Sequence, residues 1–423
     1  MDNFIHKIKV IFGDRDLRKR ILFVIFALFV FRVLAAIPIP GIDSTKLAAF
    51  LSNNQFFGIL NVFSGGGLSK LSIIMLGVGP YITSSIIMQL LTIMIPKLKE
   101  MYSEEGEIGR KKFTQYSRLI TVPLAAIQGF GLMVLLNKSG VLGTLTTFSM
   151  VTNLIVVIAG SMLLMWLGEL MSEYGIGNGV SLIIFAGIVS AIPKEVSQLM
   201  FTFDASQIPL YIAFIVAAII VIAGVVVVTE AERPIPVTYA KRVRGAKMYG
   251  GVSTYIPLRI NQAGVIPIIF ALSILLFPQM IANFLATSSK HILLSISHLL
   301  TGFLNTTWLY SLVYFILVFL FTYFYTAVTF DPHALSVNLQ KNGAFIPGIR
   351  PGDSTEAYIA KVVSRITFVG AAFLGLVAVL PLVVRALTGI TAIAIGGTAL
   401  LIVVSVVLDL IKKVDAQLSM REY

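Results

Sequence analysis

The sequence predicts an all-α polytopic membrane protein, and three observations support that prediction. The chain has 423 residues, of which 57% are hydrophobic and 12% are charged, whereas soluble domains carry about 25% charge. Ten apolar runs approach or exceed the length of about 20 residues that crosses a bilayer. Basic residues alternate between the segments that join these runs. The runs, called spans 1 to 10, are residues 21–37, 71–95, 117–136, 152–171, 179–193, 209–229, 263–286, 308–328, 366–384 and 391–411.

The distribution of basic residues predicts the orientation. If the N-terminus is inside, the cytoplasmic segments contain 25 Lys and Arg and the external ones contain 6. Such an excess is typical of cytoplasmic segments, so we expect both termini in the cytoplasm. The polar, basic segment Met1–Arg20 before span 1 predicts no cleavable signal peptide. The positive-inside rule also accounts for the net charge of +12 without a nucleic-acid partner.

Counting the spans predicts the domain organisation. Cytoplasmic segments at 1–20 and 412–423 flank an N-terminal half at 21–193 and a C-terminal half at 209–411. Residues 194–208 form the expected external hinge, although span 5 is short and is expected to extend into this segment. Because each half has five spans, the two halves are predicted to be pseudo-symmetric and inverted.

Glycine and proline interrupt the stretch from Asn61 to Pro96. A glycine triplet at 65–67 precedes span 2, and Gly77, Gly79 and Pro80 lie near the start of that span. Irregular backbone at membrane depth survives only where protein buries it or where it lines a water-filled cavity. The stretch therefore predicts a broken helix, with a simple proline kink as the alternative.

Two long basic segments, 230–262 and 329–365, are predicted to be cytoplasmic. The first contains strand-forming residues around an Arg244-Gly245 turn, which predicts a β-hairpin. The second turns at Pro347-Gly348 and at Pro351-Gly352. Together they indicate a docking surface for a large acidic partner, with solvated linkers as the alternative. The strand-forming residues are Val237, Tyr239, Val243, Tyr249 and Tyr255.

The chain lacks the residues that many membrane enzymes and transporters need. Its intramembrane ionisable residues, Arg32, Glu169, Arg385 and Asp409, lie near span ends, which disfavours a proton-coupled transporter. An intramembrane hydrolase lacks an HExxH motif and a paired nucleophile and base. We therefore expect no enzymatic activity, cofactor or metal. A channel and a secondary transporter of a small solute remain the two candidate functions.

Seven stretches carry a resemblance to a known family. They are IPIPGID (37–43), FSGGGLS (63–69), GPYITSSIIMQLL (79–91), EEGEIGRKKFTQYSR (104–118), MWLGELMSEYGIGNGVSLIIFAGI (165–188), NQAGVIPIIFA (261–271) and KNGAFIPGIRPG (341–352). In content, order and spacing they resemble the SecY family, the pore subunit of the bacterial Sec protein translocase. That family is similar to the alpha subunit of the eukaryotic endoplasmic-reticulum channel.

The resemblance implies a protein-conducting channel with an hourglass pore between the two halves and a short plug helix. Such a channel translocates unfolded secretory polypeptides across the bacterial plasma (inner) membrane and releases transmembrane segments laterally into lipid. The implied partners are SecE, SecG, the SecA motor ATPase, the ribosome, and nascent secretory and membrane-protein chains with signal sequences. The motor or the ribosome supplies the energy.

The resemblance also implies roles for individual residues. The pore ring is Val78, Ile82, Val180, Ile184, Ile269 and Ile402, where the two valines widen the constriction slightly and leave more of the seal to the plug. The plug is Ser64, Gly65, Gly66, Gly67, Leu68, Ser69, Lys70, Leu71 and Ser72. The lateral gate contains Thr83, Ser84, Ser85, Gln89, Asn261 and Gln262. Arg242, Arg244, Lys247 and Arg350 are the partner-docking residues. The alternatives are ordinary helix core for the ring, interhelical hydrogen bonding for the gate and solvated loops for the docking residues.

Overall fold

The computed structural model describes residues 13–40, 61, 64–103, 105–138, 140–142, 146–201, 208–239, 242–244, 247–249, 253–285, 290–388 and 391–419. The helices are α1 (Arg15–Ala36), α2 (Gly79–Met94), α3 (Pro96–Ser103), α4 (Gly106–Lys138), α5 (Thr147–Tyr174), α6 (Gly179–Phe201), α7 (Ile208–Glu230), α8 (Ile266–Leu285), α9 (His291–Asn305), α10 (Thr307–Thr329), α11 (Pro332–Lys341), α12 (Asp353–Thr388) and α13 (Thr391–Ser419). The strands are β1 (Glu232–Tyr239), β2 (Arg242–Arg244), β3 (Lys247–Tyr249), β4 (Ser253–Arg259) and β5 (Ala344–Phe345).

The apolar runs of the sequence fall on helices of a multi-pass membrane protein. Spans 1 to 10 coincide, in order, with α1, α2, α4, α5, α6, α7, α8, α10, α12 and α13. Within the described ranges, four helical stretches are long and apolar enough to cross a bilayer, and a fifth qualifies if the bent pair α2 and α3 is one span. That pair bends by 116°. The crossing of the membrane by all ten helices stays a prediction.

The helices differ from the predicted boundaries in three places. Residues 71–78 form turns, and α2 begins only at Gly79, where Pro80 occupies the first turn. Proline is favoured there because the first helical N–H groups have no intrahelical acceptor. As expected, α6 continues past span 5, but it reaches Phe201, so the first half of the predicted hinge is helical. The predicted external loop after span 7 contains a helix, α9.

The largest apolar core joins the two predicted halves. Its members come from α1, α2, α5 and α6 and also from α7, α8, α10, α12 and α13. The two halves meet along a seam, which is the contact of α8 with α2 and α4 and of α6 with α13. Within the first half, α5 and α6 approach closely, since a Cβ atom added to Gly179 would overlap the carbonyl oxygen of Gly168. Small residues at such crossings let membrane helices gain van der Waals contact.

The two long segments that are predicted to be cytoplasmic, 230–262 and 329–365, pack together through their described residues. β1 pairs antiparallel with β4, and β2 with β3, which confirms the predicted hairpin and its five strand residues. The tip residues 245–246 lie outside the described residues. Strand β5, from the second segment, pairs with β1 and completes a three-stranded sheet. Ile235 and Val237 of β1 pack with Ile359 and Val363 of α12, so the sheet is attached to a membrane helix.

Candidate pore and gate

The six predicted ring residues lie together in the largest core. Val78, Ile184 and Ile402 are at most 1% exposed. Ile82 and Ile269 are also buried, and Val180 is partly buried against the same cluster. They come from the start of α2 and from α6, α8 and α13, so both halves contribute. If these residues form the predicted pore ring, their apolar side chains would hold back water and ions without a charged filter.

The break before α2 puts two ring residues at the seam. Gly77 adopts a φ of 60°, a left-handed conformation that glycine tolerates better than other residues. Val78 is the N-cap residue of α2, and its carbonyl oxygen accepts a hydrogen bond from the Ile82 amide at 3.0 Å. The start of the helix thus aligns Val78 and Ile82 one turn apart. The span is interrupted at the glycines, as predicted, but by turns over residues 71–78 that precede the helix and not by a break between two helical halves.

The predicted plug segment, Ser64–Ser72, is seated against the first half. Only Leu68–Lys70 have helical geometry, a single 3₁₀ turn, so the short helix expected here is smaller than predicted. Leu68 and Leu71 are buried in a second apolar cluster with residues of α4 and α5. Ile73, which follows the segment, packs against both this cluster and the ring cluster. Its carbonyl oxygen lies so close to Gly160 of α5 that a Cβ atom there would overlap it.

Backbone hydrogen bonds join the segment that follows α1 to residues 71–73. The Ile39 amide donates to the Leu71 carbonyl at 2.9 Å, and the Ile73 amide donates to the Ile37 carbonyl at 3.0 Å. Ser64 Oγ accepts a hydrogen bond from the Leu68 amide at 3.0 Å. These bonds satisfy polar backbone that would otherwise be costly to bury.

Arg32 of α1 binds the glycine triplet. Its Nη1 atom donates to the Gly65 carbonyl at 2.9 Å and to Ser190 Oγ of α6 at 2.9 Å. Gly65 and Gly66 both have positive φ, 64° and 84°. A Cβ atom on Gly65 would overlap the Phe31 ring. The sequence did not assign this role to Arg32, although a charged residue inside an apolar span is itself a signal of function.

The predicted gate residues lie on α2 and on the segment before α8. Ser84 is buried and donates to the Ser117 carbonyl of α4. Gln89 Nε2 donates to Ser85 Oγ within α2 at 3.5 Å. Asn261 Nδ2 donates to the nearby Gly264 carbonyl at 3.2 Å. Thr83 is buried and Gln262 is half-buried in the same elements.

These hydrogen bonds stay on one side of the seam. Among the described residues, Gln89 Oε1 and Asn261 Oδ1 are buried without a hydrogen-bond partner. The contact of α8 with α2 and α4 therefore does not depend on the bonds of Ser84, Gln89 and Asn261 described above. A seam with few polar links separates at a lower energetic cost than one held by several buried hydrogen bonds.

The predicted docking residues lie in the two segments that are predicted to be cytoplasmic. Arg350 is exposed between two turns, and its carbonyl accepts a hydrogen bond from Thr355 Oγ1 at 2.9 Å. Arg242 and Arg244 lie in β2 and Lys247 lies in β3, where Arg244 is paired with Lys247. The three-stranded sheet β4-β1-β5 joins these two segments, which the sequence did not predict.

Comparison with known proteins identifies similar sequences over nearly the whole chain. A family model described as SecY matches residues 72–411. The chain is 40% identical to "Protein translocase subunit SecY" of Corynebacterium glutamicum, with 97% of each chain covered. It is 43% identical to the protein of the same name from Thermus thermophilus, with 96% of this chain and 94% of that protein covered.

Solved structures show the same fold. The structure described as "The structure of a protein conducting channel" matches with a TM-score of 0.63 and 21% identity, covering 94% of this chain and 92% of that one. The structure described as "Sec61 in the Canine ribosome-channel complex from the endoplasmic reticulum" matches with a TM-score of 0.59 and 20% identity, with the same coverage.

Proposed function

The chain belongs to the SecY family, and we propose that it is the protein-conducting channel of a translocase. It passes unfolded secretory polypeptides across the plasma membrane and has no catalytic activity of its own. The observation that supports this most directly is that the six predicted ring residues, which come from both halves, lie in or pack against one apolar cluster. A match of 40% identity over 97% of a translocase subunit supports the same conclusion.

The chemistry of the ring suits a channel for varied polypeptides. Val and Ile side chains offer no hydrogen-bond donors or acceptors, so they bind no particular passing sequence. They pack against one another when the pore is empty and against the polypeptide when it is filled. In both conditions the constriction excludes water and ions. A secondary transporter of a small solute remains the alternative, and it would need polar ligands at the broken helix.

The segment Ser64–Ser72 acts as a plug in this proposal. Its seat against α4 and α5 is supported by the burial of Leu68 and Leu71. Gly65 and Gly66 provide the hinge, because glycine changes its backbone angles at little steric cost. When the two halves separate, the segment leaves its seat and the ring opens to the polypeptide.

Lateral release occurs where α8 meets α2 and α4. The hydrogen bonds of Ser84, Gln89 and Asn261 each stay within one half, which supports a seam that opens without breaking them. A sufficiently apolar segment of the polypeptide then partitions into lipid.

The cytoplasmic unit formed by β1–β5 and α11 is the docking surface. Its basic residues Arg242, Arg244, Lys247 and Arg350 meet the ribosome or the SecA motor, and SecE and SecG complete the complex. A ribosome-bound channel among the structures of the same fold supports this arrangement. Both termini lie in the cytoplasm, in agreement with the distribution of basic residues.

Crosslinking of a stalled chain tests the channel directly. A photoreactive residue is placed at Ile82 or Ile269 in the ring, and at Leu320 of α10 as a control. Leu320 is apolar but 56% exposed, on the outer surface. A secretory polypeptide stalled in transit is expected to crosslink at both ring positions and not at Leu320. Equal crosslinking at all three positions, or none at the ring, would contradict the channel.

A further inference from the structure

Helix α9 has three chemically distinct faces. At about 100° per residue, its exposed residues divide into two groups. Ile292, Ile296 and Leu299 form an apolar strip, and the first and last of these are 74% and 73% exposed. His291, Ser295 and His298 form an adjacent polar strip, also exposed. The third face, which includes Ser297 and Leu304, is buried against the protein.

The buried face attaches α9 to the end of α8. Ser297 Oγ donates to the Ala282 carbonyl at 2.7 Å. Ala282 is in the last turn of α8, where carbonyl oxygens lack intrahelical donors. The bond therefore satisfies a buried acceptor and turns α9 back onto α8. Helix α9 also packs against α10, from which only Thr306 separates it.

The length of α9 excludes a complete crossing of the bilayer. Its 15 residues extend about 22 Å at 1.5 Å per residue, less than a hydrocarbon core of about 30 Å. Its exposed apolar strip also distinguishes it from an ordinary external loop helix, which would face water with polar residues.

The start of α10 indicates the depth of α9. Trp308, the second residue of α10, is 77% exposed. Leu312, Ile316 and Leu320 continue its exposed apolar face along the helix. Tryptophan is enriched where membrane helices meet the interface. Because α9 ends three residues before Trp308, it lies at the level where α10 enters the membrane.

From these observations we infer that α9 is an interfacial helix whose apolar strip binds the acyl chains of the outer leaflet. The polar strip with its two histidines faces water and the lipid headgroups. Amphipathic helices that lie in the plane of the interface have such paired faces. The inference rests on the proposed membrane disposition of α8 and α10. It adds that lipid contacts fix the external end of α8, the helix at the seam.

Tryptophan quenching tests this inference in the full-length chain. The protein contains 2 tryptophans, so Trp166→Phe with Trp308→Phe gives a tryptophan-free background. Single tryptophans are then introduced by Leu299→Trp on the apolar strip and by His298→Trp on the polar strip, two positions about 100° apart around α9. Ile292→Trp provides a second reporter on the apolar strip. Each variant is reconstituted in vesicles of brominated phospholipid, and aqueous iodide is added separately.

The expected result is opposite quenching of the two faces. Leu299→Trp and Ile292→Trp lose most of their emission to brominated lipid and little to iodide, and His298→Trp shows the reverse. Quenching of both faces by iodide would place α9 in water and overturn the inference. Quenching of both faces by lipid would indicate an inserted helix. Protection of Leu299→Trp from both lipid and iodide would indicate a protein partner. Either result overturns the inference.

A separate variant distinguishes failure of the α9 inference from failure of the proposed function. Trp166→Phe alone leaves Trp308 as the only tryptophan. If lipid quenches Trp308 but not Leu299→Trp, only the interfacial assignment of α9 is wrong. If lipid does not quench Trp308, α10 does not enter the bilayer there, and the proposed membrane disposition fails with the inference.

Discussion

Replacement of Gly65 by alanine is expected to unseat the proposed plug and make the channel leak ions. A methyl group at this position would overlap the Phe31 ring of α1. Gly66, the adjacent residue, is a matched control. It also has positive φ, but the nearest atom to a Cβ there is Arg32 Nη1 at 3.9 Å. The two substitutions therefore share the backbone cost and differ in the clash.

The difference between the two variants can be estimated. Alanine in the left-handed region costs about 1–2 kcal/mol at either position. Overpacking against Phe31 adds about 1–3 kcal/mol for Gly65→Ala alone. Since 1.4 kcal/mol corresponds to tenfold, the unseated population is expected to rise roughly 5- to 150-fold more in Gly65→Ala than in Gly66→Ala.

Ion conductance of the reconstituted channel measures this difference. Deletion of residues 65–70 gives the leak without a plug, and that variant is expected to assemble normally. Gly65→Ala is expected to approach this conductance, whereas Gly66→Ala, which has only the backbone cost, is expected to leak much less. Phe31→Ala combined with Gly65→Ala removes the clash and is expected to lower the leak toward that of Gly66→Ala. Equal leaks from the two alanine variants would refute the steric argument, and tight bilayers after the deletion would refute the plug itself.

Three further predictions concern other parts of the molecule. Arg350→Glu is expected to abolish motor-driven export in vesicles while assembly is retained, and unchanged export would remove Arg350 from the docking surface. His333 Nδ1 lies 2.7 Å from Glu356 Oε2, and this hydrogen bond and charge raise the pKa of His333. The pair therefore stabilises the α11–α12 contact fully at pH values below the ordinary histidine pKa, and this stabilisation is lost as the pH rises through the raised pKa of His333. Glu356→Gln should lower the pKa of His333 measured by NMR. An unchanged His333 titration would contradict the pairing. Gly160→Ala forces α5 away from the backbone that enters α2 and should cost about 1–3 kcal/mol by thermal unfolding. Gly302→Ala has open space around it in helix α9, so it should cause no loss of stability and a gain of up to about 1 kcal/mol.

Much of the helical organisation was predictable because apolar length and charge are local properties. Each predicted span coincides with a helix, and the hairpin residues from Val237 to Tyr255 lie in strands. The ends of helices were harder to predict. Gly77 and Pro80 permit a break, but they do not specify the residue on which the helix begins. Helix α9 was missed because its apolar residues are too few for a span, and its burial against α8 depends on a distant carbonyl.

The membrane class, the orientation and the family could be predicted from the sequence, because composition, basic-residue asymmetry and motif order depend only on which residues occur and in what order. The sequence also named the ring residues, but only through the resemblance, since a buried Ile in a pore and one in a helix core have the same local pattern. Only the packing of the helices brings these six side chains, from both predicted halves, into or against one apolar cluster. The tertiary structure alone brought Arg32 to the Gly65 carbonyl and Ser297 to the Ala282 carbonyl. It also joined β5 to β1. Such contacts connect residues far apart in the chain, and no local signal specifies which donor meets which acceptor.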